Sequence, residues 1–158
     1  MGQSVRPLPI SVQVLNLKRL FPETKVINVR DQQLVWTHTI TPSPMGELYK
    51  VKLVYNLTEP PKIFVVEPKP LHLAQGKSSL PHCYEQKQQQ LCLYLPNSGE
   101  WNKSMLLTAT IIPWTFEWLY HYEIWLGTGE WHGGGIHNIS QAEKQKLETK
   151  KSNESDKK

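Results

Sequence analysis

The 158-residue sequence contains only two cysteines, Cys83 and Cys92. Two are too few for a disulfide framework, and too few for a zinc site unless histidines help. A reducing compartment would disfavour even the short loop they could close. No stretch supplies the ~20 apolar residues of a membrane span. The most apolar region, Leu106 to Leu126, is broken by Thr108, Thr110, Pro113, Glu117, His121 and Glu123. The opening MGQSVRPLP lacks the apolar core of a signal peptide and the serine or threonine of a myristoylation signal. Charge of one sign is also scarce. The formal net charge is +4, and the lysines near the end are partly offset by Glu143, Glu148, Glu154 and Asp156. A nucleic-acid interface would show a stronger basic patch or stripe. The glycines at 127, 129 and 133–135 are followed by no Lys-Ser or Lys-Thr, so they form no phosphate loop. No cofactor, no nucleic acid and no membrane is the expectation, with cytoplasmic residence.

What is present points to one small domain with a real core. Residues 9–21 read as a helix, because Ile10, Val14, Leu17 and Phe21 recur on one face. Four strands follow at 25–30, 34–40, 48–55 and 62–66. The second alternates Leu34, Trp36, His38 and Ile40 on one side; the third turns Tyr49, Val51, Leu53 and Tyr55 toward the core. The connections TPSPMG and Asn56 to Pro61 are short, which favours an antiparallel meander. Residues 67–90 read as a long loop without a periodic element, and such loops are commonly functional. Residues 104–112 read as a buried helix interrupted by Pro113, and 114–126 as a second one with Trp114, Trp118, Tyr122 and Trp125 as packing residues. From Ile139 the chain is polar and charged. The fold class expected is α+β, with helices layered on an antiparallel sheet.

The residue of greatest chemical interest is Cys92, in Leu91-Cys92-Leu93-Tyr94. In an extended stretch Leu91 and Leu93 would anchor while Cys92 and Tyr94 project to the other side. A free thiol is only a few per cent ionised at neutral pH, so a nucleophilic cysteine needs hydrogen-bonding or positive neighbours. Read by periodicity alone, Cys92 is equally an inert buried thiol. Attack on a carbonyl builds negative charge on oxygen, for which His82, the Tyr84 hydroxyl and backbone amides are candidate donors. Trp101 flanks a cleft or packs in the core, and Cys83 reads as a packing residue. Trp131 reads as partner surface. A metal site from His121, His132 and His137 fits no standard spacing, so none is expected.

The order of elements resembles the ubiquitin-conjugating-enzyme fold. Pro60-Pro61-Lys62-Ile63-Phe64-Val65 resembles that family's proline-rich turn and strand, Leu91-Cys92-Leu93 its catalytic cysteine, and Trp101 its following tryptophan. Pro81-His82-Cys83-Tyr84 occupies the place of its His-Pro-Asn motif, with Cys83 and Tyr84 replacing the proline and the asparagine. A denser resemblance, over residues 81–137, is to the ubiquitin-conjugating-like proteins of bacterial CBASS antiphage operons in the short type II form. It is carried by Ile111-Ile112-Pro113-Trp114, Trp118-Leu119, Tyr122-Glu123, Thr128-Gly129-Glu130-Trp131 and Gly133-Gly134-Gly135-Ile136-His137.

The resemblance implies a bacterial acyl (thioester) transferase. Residues 1–138 would be the catalytic domain and 139–158 a flexible tail. Cys92 would be the nucleophile and His82 its catalytic companion, with Tyr84 and Trp101 as cleft or oxyanion support. The implied partner is the C-terminal tail of a cGAS/DncV-like nucleotidyltransferase, joined through a thioester that primes its second-messenger synthesis. Two other readings stay open: a non-catalytic module regulating the same partner by contact, and a cysteine hydrolase using Cys92 with His132 or His137.

Overall fold

A computed structural model describes residues 4–134. The elements run α1 (Ile10–Leu20), β1 (Lys25–Val29), β2 (Gln33–Ile40), β3 (Tyr49–Asn56), β4 (Lys62–Glu67), β5 (Cys83–Glu85), β6 (Gln90–Leu91) and α2 (Ile111–Thr128). The architecture is mixed α/β, two helices on one six-stranded antiparallel sheet of order β1-β2-β3-β4-β6-β5.

Alternation along the strands builds the first four. β2 and β3 pair in unbroken register from Gln33 with Asn56 to Ile40 with Tyr49. Their inward residues Leu34, Trp36, Ile40, Tyr49, Val51, Leu53 and Tyr55 are all buried. Period-2 side chains on a pleated strand give this one-sided burial. α1 contributes Ile10, Val14 and Leu17 to the same core, and its last turn carries Lys18 and Arg19, favourably placed at the helix C-terminus.

Three expectations are corrected. The sheet has six strands, not four. β5 and β6 lie in the stretch expected to be a loop, and they are three and two residues long, with a register shift between Cys83 and Glu85. The helix expected over 104–112 is only a 3-10 turn, Leu107–Ala109. Pro113 does not interrupt a helix; it sits in the first turn of α2, where a missing N–H costs nothing because that turn's donors have no helical partner. There is accordingly one C-terminal α-helix among the described residues, ended by Gly129 at φ 74°, a left-handed cap that glycine adopts without strain. The charged segment 139–158 lies outside the described residues.

α2 is held at both ends of its buried face. Glu123 accepts hydrogen bonds from the Glu47 amide (2.8 Å) and the Tyr49 hydroxyl (3.0 Å). Tyr122 donates to the His72 carbonyl at 2.8 Å, and Trp118 Nε1 to the His82 carbonyl at 3.0 Å. This last bond fixes α2 against the segment that leads to Cys92.

Candidate functional site around Cys92

Cys92 follows directly on β6. Its amide donates to the His82 carbonyl at 2.9 Å, extending the β5–β6 pairing by one residue. Leu91 enters the core, whereas Cys92, Leu93 and Tyr94 line a cleft of about 430 Å³. The cysteine is 6% exposed. The opposite wall is α2, through Trp114, Glu117, Trp118 and His121, and the far end is closed by Trp131, Gly133 and Gly134.

The thiol's surroundings pull in opposite directions. Burial pushes the Cys92 pKa up, and the nearby Glu100 carboxylate pushes it the same way. Hydrogen bonding from the Tyr84 hydroxyl and from the backbone at Tyr94 opposes this. Desolvation is the largest contribution, and the thiol therefore rests protonated. The one Tyr84 hydroxyl proton is shared between the sulfur and the Tyr94 carbonyl, whose oxygen lies 3.0 Å from the hydroxyl and keeps it beside the sulfur. Burial and the neighbouring thiol push the Tyr84 pKa upward as well, keeping it a hydrogen-bond donor.

His82 has φ 45°, a backbone conformation that non-glycine residues rarely adopt. Its carbonyl accepts from both Cys92 N and Trp118 Nε1, and its ring stacks on Trp131 with centroids 5.0 Å apart. Trp131 in turn meets Trp118 at 5.5 Å and His121 at 5.9 Å. A Cβ at Gly133 would fall 2.6 Å from the Trp131 indole nitrogen, so only glycine lets the chain close over that ring. Trp131, read from sequence as a partner surface, is therefore a wall of the cleft.

The other expected residues are placed differently. Trp101 is not among the cleft-lining residues; its ring packs behind Tyr94 at 6.2 Å and against Tyr55 at 5.7 Å. Cys83 hydrogen-bonds to the Glu85 carbonyl, and burial pushes its thiol up to about 11, as expected for a packing residue. It pairs with Leu91 across the sheet, one position out of step with Cys92. His132 approaches Glu130 at 3.7 Å and does not line the cleft, and His137 lies outside the described residues. Among the described residues no three His, Cys, Asp or Glu side chains assemble into a metal-binding group.

Glu100, Glu117 and His121 line the cleft but were not singled out as a set by the sequence reading. The signal available for two of them was the spacing Trp114, Glu117, Trp118, His121, which is one helical face offset from the buried stripe.

No helix among the described residues is long and apolar enough to cross a membrane. The family model described as Type II CBASS E2 protein matches residues 13–138, covering most of α1, all of α2, the whole sheet and the Cys92 cleft. No curated protein matches the chain.

Proposed function

Because the chain belongs to the type II CBASS E2 family, we propose that it is a conjugating-type cysteine transferase with the ubiquitin-conjugating-enzyme fold, acting through Cys92. In this reading Cys92 forms a thioester with the C-terminus of a cGAS/DncV-like nucleotidyltransferase and primes its cyclic-nucleotide synthesis in antiphage defence. The observation that carries it is the placement of Cys92 on a cleft with the Tyr84 hydroxyl bonded beside it. Thioester formation requires that the C-terminus arrive as an activated acyl donor, an acyl adenylate or a thioester. Cys92 Sγ gives its proton to water and bonds to the carbonyl carbon, the leaving group departs as AMP or thiolate, and the developing oxyanion needs a preorganised hydrogen-bond donor. Such a donor is typically worth ~3–4 kcal/mol. Tyr84 takes that role in place of the missing asparagine. His82 acts by position: its carbonyl fixes the Cys92 amide and α2 together, and its ring seats Trp131. A cysteine that rests protonated is a poor leaving group, so the thioester it forms survives in the cleft until an acceptor arrives.

The burial of Cys92 favours one second reading, a module that regulates the same partner by contact alone. Intact-mass spectrometry of the protein co-expressed with its neighbouring synthase separates the two. The transferase reading requires a thiol-sensitive adduct that vanishes in Cys92→Ala. Two unmodified masses from a pair that still co-purifies would give the function to contact.

A further inference from the structure

We propose that His121, positioned by Glu117, accepts the proton of the amine that takes the acyl group from Cys92. This rests on the thioester reading above and adds the residue pair that completes it. The two side chains are one turn apart on α2 and both face the Cys92 cleft. His121 Nε2 lies 3.8 Å from Glu117 Oε1. The imidazole is largely buried beside Trp131, whereas Glu117 is exposed at the cleft mouth. His121 Nδ1 is closed off from solvent and has no hydrogen-bond partner. Nothing at Nδ1 holds the ring, and Nε2 is the nitrogen that faces the carboxylate. A buried imidazole nitrogen without a partner is costly in a purely structural role.

An amine on a flexible chain would enter past the half-buried Trp114, with the Glu117 carboxylate at the entrance. As the neutral amine attacks the thioester carbonyl, the N–C bond forms and the proton on nitrogen passes to His121 Nε2. The C–S bond then breaks, and its electron pair leaves with Cys92 as thiolate. The imidazolium, paired with Glu117, returns its proton to the sulfur or to water.

The test loads Cys92 chemically by thiol exchange with a peptide α-thioester and follows aminolysis by Nα-acetyl-lysine in the full chain. His121→Gln should load as the wild type does but transfer about 100-fold more slowly, the usual scale of general-base catalysis. In His121→Ala the cleft has room for free imidazole, which should restore transfer saturably. Glu117→Gln should slow transfer roughly tenfold in the wild type and not at all in His121→Ala, because the two act as one unit. A wild-type transfer rate in His121→Gln, or no rescue by imidazole, would overturn the pair while leaving the thioester reading intact. Failure of Cys92 to load would remove both.

Discussion

The two ends of the sheet are built by different rules. At the α1 end, β2 and β3 run eight residues each in unbroken register, and the inward side chains pack without gaps in the pattern. At the Cys92 end, β5 and β6 are three and two residues long, and their pairing slips between Cys83 and Glu85. His82 and Gln89 both have positive φ, at 45° and 56°. Several groups there are held by polar bonds to loop carbonyls instead of by ladder pairing. The first end is made of apolar area removed from water; the second spends some of that regularity to leave a thiol and an imidazole on one cleft, with the Tyr84 hydroxyl beside the sulfur. Strain and irregular pairing of this kind gather at functional sites.

The contrast predicts that the largest functional effect and the largest stability effect fall on different ends. Cys92→Ala should abolish the covalent adduct entirely, with a stability change of about 1 kcal/mol or less by chemical denaturation. Trp36→Ala, by contrast, empties a fully buried indole site beneath α1. It should cost about 3–5 kcal/mol, lowering the Tm by about 10 °C. A Cys92→Ala protein that unfolded as readily as Trp36→Ala would show the cleft to be part of the core after all.

Two buried glutamines sharpen the comparison, since they do the same chemistry at opposite ends. Gln13 of α1 donates to the Met105 carbonyl and accepts from the Leu107 amide, both at 2.9 Å. Gln89 donates to the carbonyls of Val65 (2.9 Å) and Pro68 (3.1 Å) and accepts from the Leu71 amide. Replacing either by alanine leaves buried backbone groups unpaired and should cost roughly 2–3 kcal/mol. Only Gln89→Ala should also raise the rate at which iodoacetamide alkylates Cys92, because Gln89 immediately precedes the β6 segment that buries the sulfur. Equal alkylation rates in the two variants would mean that the ends are mechanically coupled.

The same contrast explains how much could be read beforehand. β2 to β4 and α1 were legible because apolar residues repeat at the strand and helix periods and burial follows them; β1, largely exposed, was legible from its β-branched composition. β5 and β6 were not, because Cys83-Tyr84-Glu85 and Gln90-Leu91 are too short and too polar to show a period; they exist because β6 pairs with β4 and β5 with β6. The start of α2 was misplaced because Pro113 breaks a helix only in its interior, and here it occupies the first turn. Cys92, His82 and Tyr84 were visible as a motif resembling the conjugating family; Cys92 and His82 line the same cleft, and Tyr84 lines the neighbouring pocket with its hydroxyl beside the sulfur. Trp101 matched the same motif yet packs behind Tyr94, since order along the chain does not say which layer a ring occupies. Glu117 escaped notice, and His121 was weighed only as a metal ligand, because the aromatic stripe on the same helix reads as core, and a polar face one step round it carries no motif.

The smallest effect is the most discriminating about the thiol itself. The Cys92 pKa is raised by burial and by Glu100, and held down by hydrogen bonding from Tyr84 and from the backbone at Tyr94. A raised pKa means fewer thiolates at neutral pH than a free cysteine has, so alkylation should be slower than that of glutathione and should climb as pH rises toward the alkaline range. Tyr84→Phe removes a stabilising hydrogen bond from the thiolate. Such a bond contributes about 0.5–1.5 kcal/mol net, so the pKa should move further up and alkylation at fixed pH should fall by about 3- to 10-fold. Glu100→Gln removes a negative charge, and glutamine keeps an oxygen for the Leu95 amide and the Ser98 hydroxyl that Glu100 now accepts from. Its pKa effect has the opposite sign, and alkylation should rise by a few-fold. Folding linkage runs in the same direction: a thiol whose folded pKa lies above its unfolded value stabilises the fold below the unfolded pKa, and that contribution is lost as pH climbs through the folded one. Opposite shifts in Tyr84→Phe and Glu100→Gln would therefore locate the control of Cys92 in these two side chains. Shifts of the same sign would mean that loosened packing, and not charge, sets its reactivity.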